Sequence, residues 1–196
     1  LNGMFVDTAV ISTGHLKIMT RAYKEESQLL PNDLALLETS QLIDELHSKY
    51  PDYFWSPRIT FAGLLDVPDG NWETLEQGPT LAFGIDFFSP SSRQVEIWEL
   101  QNRLVEGRLP EKADEVLLST KLAKSLTLKL GDSVTFIGSS MYNAFTTYNF
   151  IVAGTFNLNM GALDKHMMLL DISGARIALD MEDAASAILG YSHDLY

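Results

Sequence analysis

Cysteine is absent from this chain of 196 residues, and basic residues are scarce. The absence of cysteine excludes disulfides, thiolate metal sites and cysteine nucleophiles. Lys and Arg together number 14 against 26 Asp and Glu, so the formal net charge is −12. Since affinity for nucleic acid rests mainly on clustered Lys and Arg, this balance argues against a nucleic-acid partner. An anionic membrane surface is an equally poor partner.

Long hydrophobic runs are missing as well. No stretch approaches the roughly 18 apolar residues that a membrane-spanning helix needs. The chain starts Leu1-Asn2-Gly3, without an initiator Met and without the basic-then-apolar pattern of a signal peptide. We therefore expect the sequence to begin inside a longer natural chain. Its length suits one domain or two small ones.

The composition is that of an ordinary globular protein, with 46% hydrophobic and 20% charged residues. Strand-like and helix-like patterns alternate along the chain, which predicts an α+β fold that begins with a βαβ-like or split βαβ unit. A helix capped by Asn32 or Asp33 is expected to run to Pro51, and a short helix from Ile97 through Leu104 to Gly107. Strands are predicted over residues 9–19, 58–65, 81–87, 115–118, 166–170 and 185–191.

One segment carries no charge at all. Residues 133–163, between Asp132 and Asp164, contain no Asp, Glu, Lys, Arg or His. Their many Ser, Thr and Asn side chains exclude a membrane-spanning helix, because each would lose water in a bilayer. Apolar and polar residues alternate instead, which predicts a long hairpin over residues 133–157 with its tip at 138–147. The acidic residues of the chain would therefore surround a neutral hairpin.

The hairpin tip is unusually apolar and aromatic for a loop. We predict that it binds a protein partner, because exposed apolar patches on soluble proteins usually mark an interface. The alternative is that Met141, Tyr142 and Phe145 fold back onto the hairpin or cover a neighbouring part of the domain. The residues assigned to the tip are Ser140, Met141, Tyr142, Asn143 and Phe145.

Other candidate sites have simpler explanations. The acidic turn around Gly70 misses the ligand spacing of a calcium-binding EF-hand. Trp98, beside Ile97, is expected to pack in the core, whereas Trp72 lies in a polar turn and is the more plausible exposed contact. No two histidines have metal-ligand spacing, so no metal and no cofactor is predicted. The four histidines are His15, His47, His166 and His193.

No catalytic motif is present, so the chain is predicted not to be an enzyme. It has no nucleophile elbow, P-loop or dinucleotide-binding fingerprint. A hydrolase that uses paired carboxylates stays open as an alternative, although such pairs arise by chance among 26 acidic residues. A secreted or surface binding module is a further alternative.

Five segments follow one another in a distinctive order along the chain. They are Ser12 to Ile18 followed by Tyr23, Gly84-Ile85-Asp86, Gly107-Arg108-Leu109 with Glu115 to Ala123, Leu126 to Val134, and Phe150 to Phe156. This order of motifs resembles the extracytoplasmic domain of a class of ABC transporter permeases, over about residues 8–194. The class comprises the FtsX-like permeases of the lipoprotein-releasing LolC/LolE type and the macrolide-exporting MacB type.

The resemblance implies a MacB-like periplasmic core domain. Residues 1–83 and 158–196 would form an αβ, porter-like part, and residues 84–157 an inserted, smaller, mainly β part. The natural protein would be a bacterial inner-membrane permease that works as a dimer, with this domain on the periplasmic side. A cytoplasmic ATPase would power it, and the domain would engage an adaptor, a chaperone or a cargo protein. Lipoprotein release and export of a drug or peptide are both implied.

The sequence departs from that family at two places. In LolC-type proteins the corresponding hairpin is a longer, proline-bearing hook that recruits a chaperone. Residues 138–148 are shorter and contain no proline. The family also continues with another helix and strand, whereas this chain ends at Tyr196, so the αβ part is expected to be truncated.

Overall fold

A computed structural model describes residues 13–69 and 73–192. Trp72, His193 and the centre of the acidic turn at residues 70–72 lie outside the described residues, as does the start of the first predicted strand. Within the described ranges, no helix is both long enough and apolar enough to cross a membrane.

Nine strands and six α-helices make up the described structure. The strands are β1 Leu16–Ile18, β2 Tyr53–Pro68, β3 Thr74–Ile85, β4 Leu104–Gly107, β5 Glu115–Ser119, β6 Ser133–Ser139, β7 Phe145–Phe156, β8 Met167–Asp171 and β9 Ala187–Ser192. The helices are α1 Arg21–Glu25, α2 Thr39–Lys49, α3 Gln94–Ile97, α4 Leu100–Arg103, α5 Thr120–Ser125 and α6 Ile172–Leu179. Short 3₁₀ turns occupy Ser27–Leu29, Asn32–Leu34 and Leu163–Lys165.

The predicted split βαβ unit is confirmed. Strand β9 lies between β1 and β2 and is antiparallel to both, so β1 and β2 run parallel to each other on either side of it. The segment that joins β1 to β2 contains α1, two 3₁₀ turns and α2. Gly190 of β9 pairs with Leu16 on one side and with Trp55 on the other.

Strand β2 continues from this unit into a closed ring of strands. Its residues 53–58 pair with β9, and its residues 59–68 pair with β3. The ring then runs from β3 through β8, β5, β7 and β6, and the pairing of β6 with β2 closes it. Each of the six strands in this ring is hydrogen-bonded to a neighbouring strand on both sides over part of its length.

The main hydrophobic core is built by the strands of this ring together with α5 and α6. Phe136, Phe150 and Leu65 are completely buried there. A second core cluster contains Trp98, which is 1% exposed, so its predicted core position is confirmed. The division at residues 84 and 157 stays a prediction. Backbone hydrogen bonds join the two predicted parts, since β5 pairs with β8 and β6 pairs with β2.

Two local predictions are wrong. The helix expected through Leu104 is split at Glu99, which adopts a left-handed φ of 51° between two short helices, and it ends at Arg103, because Leu104 pairs with Phe156 of β7. The second error is the start of α2, which begins at Thr39 and is not capped by Asn32 or Asp33. Asp183 supplies that cap instead, since its carboxylate accepts the Ser40 backbone N–H at 3.0 Å.

Candidate partner-binding surface

The tip of the β6–β7 hairpin is a tight turn over residues 140–144. The Ser140 N–H donates to the Ala144 carbonyl oxygen at 2.8 Å, and the Asn143 N–H donates to the Ser140 carbonyl oxygen at 3.0 Å. Asn143 has a φ of 57°, a left-handed conformation that Asn adopts more readily than most residues. The Ser140 hydroxyl oxygen also accepts the Tyr142 N–H at 3.2 Å, so the turn holds its own backbone in place.

The end of helix α6 anchors this turn. The Met141 N–H donates to the Leu179 carbonyl oxygen at 2.8 Å, and the Thr146 hydroxyl donates to the Ala178 carbonyl oxygen at 2.9 Å. These carbonyls belong to the last turn of a helix, where no later helical N–H is available to bond them. The Met141 side chain is 8% exposed and belongs to the main core cluster. The tip is therefore fixed to α6 by both backbone and side-chain contacts.

A third contact ties the tip to the segment before α2. The Asn143 side-chain amide donates to Asp33 Oδ2 at 3.3 Å. Next to Asp33, Asn32 is itself held on both sides: its amide donates to the Thr60 carbonyl at 3.0 Å, and its side-chain oxygen accepts the Ser186 hydroxyl at 2.6 Å. These hydrogen bonds hold the 3₁₀ turn Asn32–Leu34 beside the hairpin tip.

Two aromatic side chains of the tip remain in solvent. Tyr142 is 69% exposed and Phe145 is 78% exposed. Leu29, in the neighbouring 3₁₀ turn, is 77% exposed. We call these three side chains and the groove beside them the tip surface. The groove has a volume of about 570 Å³ and is lined by Glu26, Leu29, Leu30, Pro31, Asn32, Asp33, Phe61, Ala62, Gly63, Gly138, Ser139, Ser140 and Asn143.

The tip surface carries negative charge on one side only. Glu26 and Asp33 carry the formal charges among the described residues of the groove lining, whereas the hairpin strands themselves are neutral. Aromatic side chains, which often dominate binding at interfaces, therefore lie next to carboxylates. A partner that offers apolar groups with a positive charge close by would match this arrangement.

The five predicted tip residues take different positions. Tyr142, Asn143 and Phe145 are at the surface, whereas Ser140 and Met141 are buried. The folding back that we considered as an alternative thus applies to Met141 but not to Tyr142 or Phe145. Binding of a partner at these residues stays a prediction. Leu29 and Asp33 were not predicted, because a contact between residues 33 and 143 leaves no local pattern in the sequence.

Residues outside the tip surface that could have formed a binding site have structural roles. Trp55, the remaining tryptophan of the chain, is 4% exposed and packs against Gly190 of β9. Asp66 accepts hydrogen bonds from Thr74 at 2.7 Å and from Gln77 at 3.4 Å, across the β2–β3 hairpin. Within the described part of the chain, no group of three or more His, Asp or Glu side chains could hold a metal ion.

Comparison with known proteins finds similarity in structure but not in sequence. The sequence matches no protein-family model, and no curated protein matches it. The extracellular domain of the noncanonic ABC-type transporter YknZ from Gram-positive bacteria superposes with a TM-score of 0.60 and 14% identity, over 91% of this chain and 82% of that chain. The periplasmic region of MacB from Actinobacillus actinomycetemcomitans gives a TM-score of 0.56 and 16% identity, over 92% of this chain and 75% of that chain.

These comparisons concern the fold. At such low identity they show that the chain has the α+β fold of the YknZ and MacB domains, which confirms the predicted MacB-like fold. The first similar structure is an extracellular domain of a transporter, and the second is a periplasmic region, so both lie outside the cytoplasm.

Proposed function

We propose that this chain is the extracytoplasmic domain of an ABC transporter permease and has no catalytic role of its own. It would couple ATP hydrolysis by a cytoplasmic ATPase to the engagement of a partner or cargo outside the inner membrane. The observation that carries the proposal is the fold, which covers 91% of the chain in the match to the extracellular domain of YknZ. Lipoprotein release and export of a drug or peptide are the cargo classes that we propose.

The arrangement of the described chain ends supports this role. The Ser192 N–H donates to Nδ1 of His15 at 2.9 Å, and the His15 N–H donates to the Gly190 carbonyl at 2.9 Å. The first and last described strands are therefore neighbours in one sheet. This proximity suits a domain inserted between two neighbouring membrane helices, because both of its connections to the membrane would then leave from the same side of the domain.

The connection between the chain ends and the tip surface supports a mechanical role. Strand β9, which lies beside β1, follows α6 in the chain, and the end of α6 holds the hairpin tip through Met141 and Thr146. A movement of the membrane helices would reach β1 and β9 first and then α6. It would shift the domain between arrangements with different affinity for the partner.

Photo-crosslinking in the intact transporter tests the proposal. A photoreactive amino acid replaces Tyr142 or, separately, Phe145 in the full-length permease expressed with its ATPase in its own cells. We expect a discrete crosslinked product with a second protein at both positions. Leu37 is the matched control, since it is also an exposed apolar residue, at 61%, but lies outside the tip surface. Equal crosslinking at position 37, or none at 142 and 145, would overturn the partner role.

The reading frame tests the transporter assignment separately. We expect an apolar segment of roughly 20 residues before Leu1 and further such segments after Tyr196, with an ATPase gene close by. A full-length protein without flanking membrane helices would exclude a permease. It would favour the surface binding module instead.

A further inference from the structure

A second cleft, which shares no lining residue with the tip surface, lies between β3, α5 and the turn that precedes β8. Its volume is about 570 Å³, within the roughly 300–1,000 Å³ that small-molecule sites occupy. The lining residues are Gln77, Gly78, Pro79, Lys121, Leu122, Lys124, Ser125, Leu126, Lys165 and His166. We call it the lysine cleft.

The floor of the lysine cleft is apolar. Leu122 and Leu126 are 1% and 2% exposed and belong to the main hydrophobic core. Pro79 of β3 adds an apolar wall, and the adjacent Gly78 has no side chain to fill the space in front of Leu126. A bound alkyl group would therefore lie along the exposed Pro79 and over the edge of the core that Leu122 and Leu126 form.

The rim of the cleft is basic, in contrast to the rest of the protein. Three of the eight lysines in the chain line it, although the net charge of the whole chain is −12. Lys121 is partly compensated, since its Nζ lies 3.6 Å from Oδ2 of the buried Asp164. Lys124 and Lys165 are exposed and have no ion pair within residues 13–69 and 73–192. None of the described lining residues carries a carboxylate.

We propose that the lysine cleft binds a single anionic amphiphile, a molecule with one alkyl chain and a phosphate or carboxylate head group. The alkyl chain lies against Leu122, Leu126 and Pro79. The head group is held by the ammonium groups of Lys124 and Lys165. Burial of the chain provides most of the free energy, and the lysines select for negative charge. This proposal goes beyond the partner-binding role of the tip surface.

The charge of the whole chain favours a single molecule over a larger anionic partner. An anionic bilayer or an extended acidic peptide would meet the surrounding carboxylates as well as the lysines, and would be repelled by them. One head group lies closest to Lys124 and Lys165, whereas Asp164 is paired with Lys121 and carboxylates more than about 10 Å away are largely screened at physiological salt.

Titration calorimetry with dodecyl phosphate, kept below its micelle-forming concentration, tests this site. We expect saturable binding of one molecule per chain. Replacing the lysines in the double variant Lys124→Gln/Lys165→Gln should weaken binding about five-fold or more, because the head group loses both of its charge contacts. The matched control is Lys112→Gln/Lys129→Gln, which removes the same charge from exposed lysines outside the cleft and should leave the affinity unchanged.

Further probes separate the parts of the proposal. Inorganic phosphate should bind much more weakly than dodecyl phosphate, and dodecyl maltoside should bind more weakly too, since it has the same chain without the charge. Equal weakening by the two double variants would overturn the role of Lys124 and Lys165. Equal binding of dodecyl maltoside would overturn charge selection, and equal binding of inorganic phosphate would overturn the role of the apolar floor.

A membrane surface is tested as a ligand with vesicles that contain phosphatidylglycerol. Binding to these vesicles, without binding of monomeric dodecyl phosphate, would mean that a membrane surface is the ligand and would overturn the proposal. A tip variant, Tyr142→Ser/Phe145→Ser, should bind dodecyl phosphate normally, so the two proposals can fail independently.

Discussion

The Met141 N–H at the tip of the hairpin donates to the carbonyl oxygen of Leu179 in the last turn of α6, at 2.8 Å. This bond joins the charge-free segment to the helix that leads into β9. The Met141 side chain is buried in the core, while its neighbour Tyr142 is 69% exposed. Adjacent residues of one turn thus have opposite roles, the first holding the tip in place and the second available for contact.

Stability measurements should separate these two roles. Met141→Ala should lower the free energy of unfolding by about 2 kcal/mol or more, because it removes a buried side chain and leaves a cavity. Tyr142→Ala is the matched control and should change it by less than about 0.5 kcal/mol, as expected at an exposed position. Urea unfolding followed by tryptophan fluorescence measures both. Equal losses in the two variants would contradict the burial of Met141.

Gly190 of β9 should not tolerate a side chain. A Cβ atom at this position would lie 2.5 Å from Cζ3 of Trp55, closer than such atoms approach in proteins. Gly190→Ala should therefore cost roughly 1–3 kcal/mol, as overpacking does. In a Trp55→Leu background the same substitution should cost much less, because the ring is gone. A double-mutant cycle by thermal unfolding tests this coupling, and an unchanged cost in the Trp55→Leu background would exclude the clash.

Asp183 should stabilise the start of α2. Its Oδ1 accepts the Ser40 N–H at 3.0 Å, the Ser40 hydroxyl at 2.7 Å and the Thr39 hydroxyl at 3.0 Å. Asp183→Gly removes these bonds at a residue whose φ of 46° suits glycine, and should cost about 1 kcal/mol, as the loss of a helix cap does. The control is Asp180→Gly at an exposed residue with a φ of 56°, where no loss is expected. A larger loss from Asp180→Gly, measured by urea unfolding, would rule out the cap.

The same carboxylate should make part of the stability depend on pH. Burial alone would raise the pKa of Asp183, but hydrogen bonds from Ser40 and Thr39 and the charge of Arg176 outweigh it, so the pKa is lowered. A carboxylate whose pKa is lowered on folding stabilises the fold above its unfolded pKa of about 3.9. The difference in the free energy of unfolding between the wild type and Asp183→Gly, measured by urea unfolding, should therefore shrink as the pH falls through the lowered pKa.

Glu115 should give a clearer dependence on pH. Arg108 Nη1 and Nη2 donate to its two carboxylate oxygens at 2.7 and 2.6 Å. These hydrogen bonds from Arg108 lower the pKa of the Glu115 carboxyl to about 2. Because an unfolded Glu has a pKa of about 4.3, the contribution of Glu115 to stability is complete above that pH and is lost as the pH falls toward 2.

Thermal unfolding of Glu115→Gln from pH 7 to pH 2 measures this contribution. The variant should have a lower Tm than the wild type at pH 7, and the two values should converge near pH 2. Glu111→Gln is the control, since Glu111 is mostly exposed and lies 3.8 Å from Arg108. A difference in Tm that persists unchanged to pH 2 would mean that the effect of Glu115 does not come from its charge.

The sequence by itself determined many of the local elements and argued against some classes of function. Ser119, a residue type that favours the start of a helix, caps α5, with its hydroxyl oxygen accepting the Leu122 N–H at 3.2 Å. The alternation around Val134 and Phe150 correctly predicted the two strands of the hairpin. Both features depend on residues close in the chain, where the periods of helix and strand restrict what can form. The shortage of basic residues needed no structure to argue against nucleic acid.

Only the tertiary structure decided how these elements meet. The pairing of β6 with β2 that closes the strand ring, and the cap that Asp183 provides for Ser40 from 143 residues away, join parts of the chain that carry no common pattern. The same holds for the tip surface. Whether Met141 or Tyr142 is exposed depends on where α6 lies, because the Leu179 carbonyl and the core behind it select which side chain turns inward. Local periodicity does not encode such contacts, since their free energy comes from groups that only folding brings together.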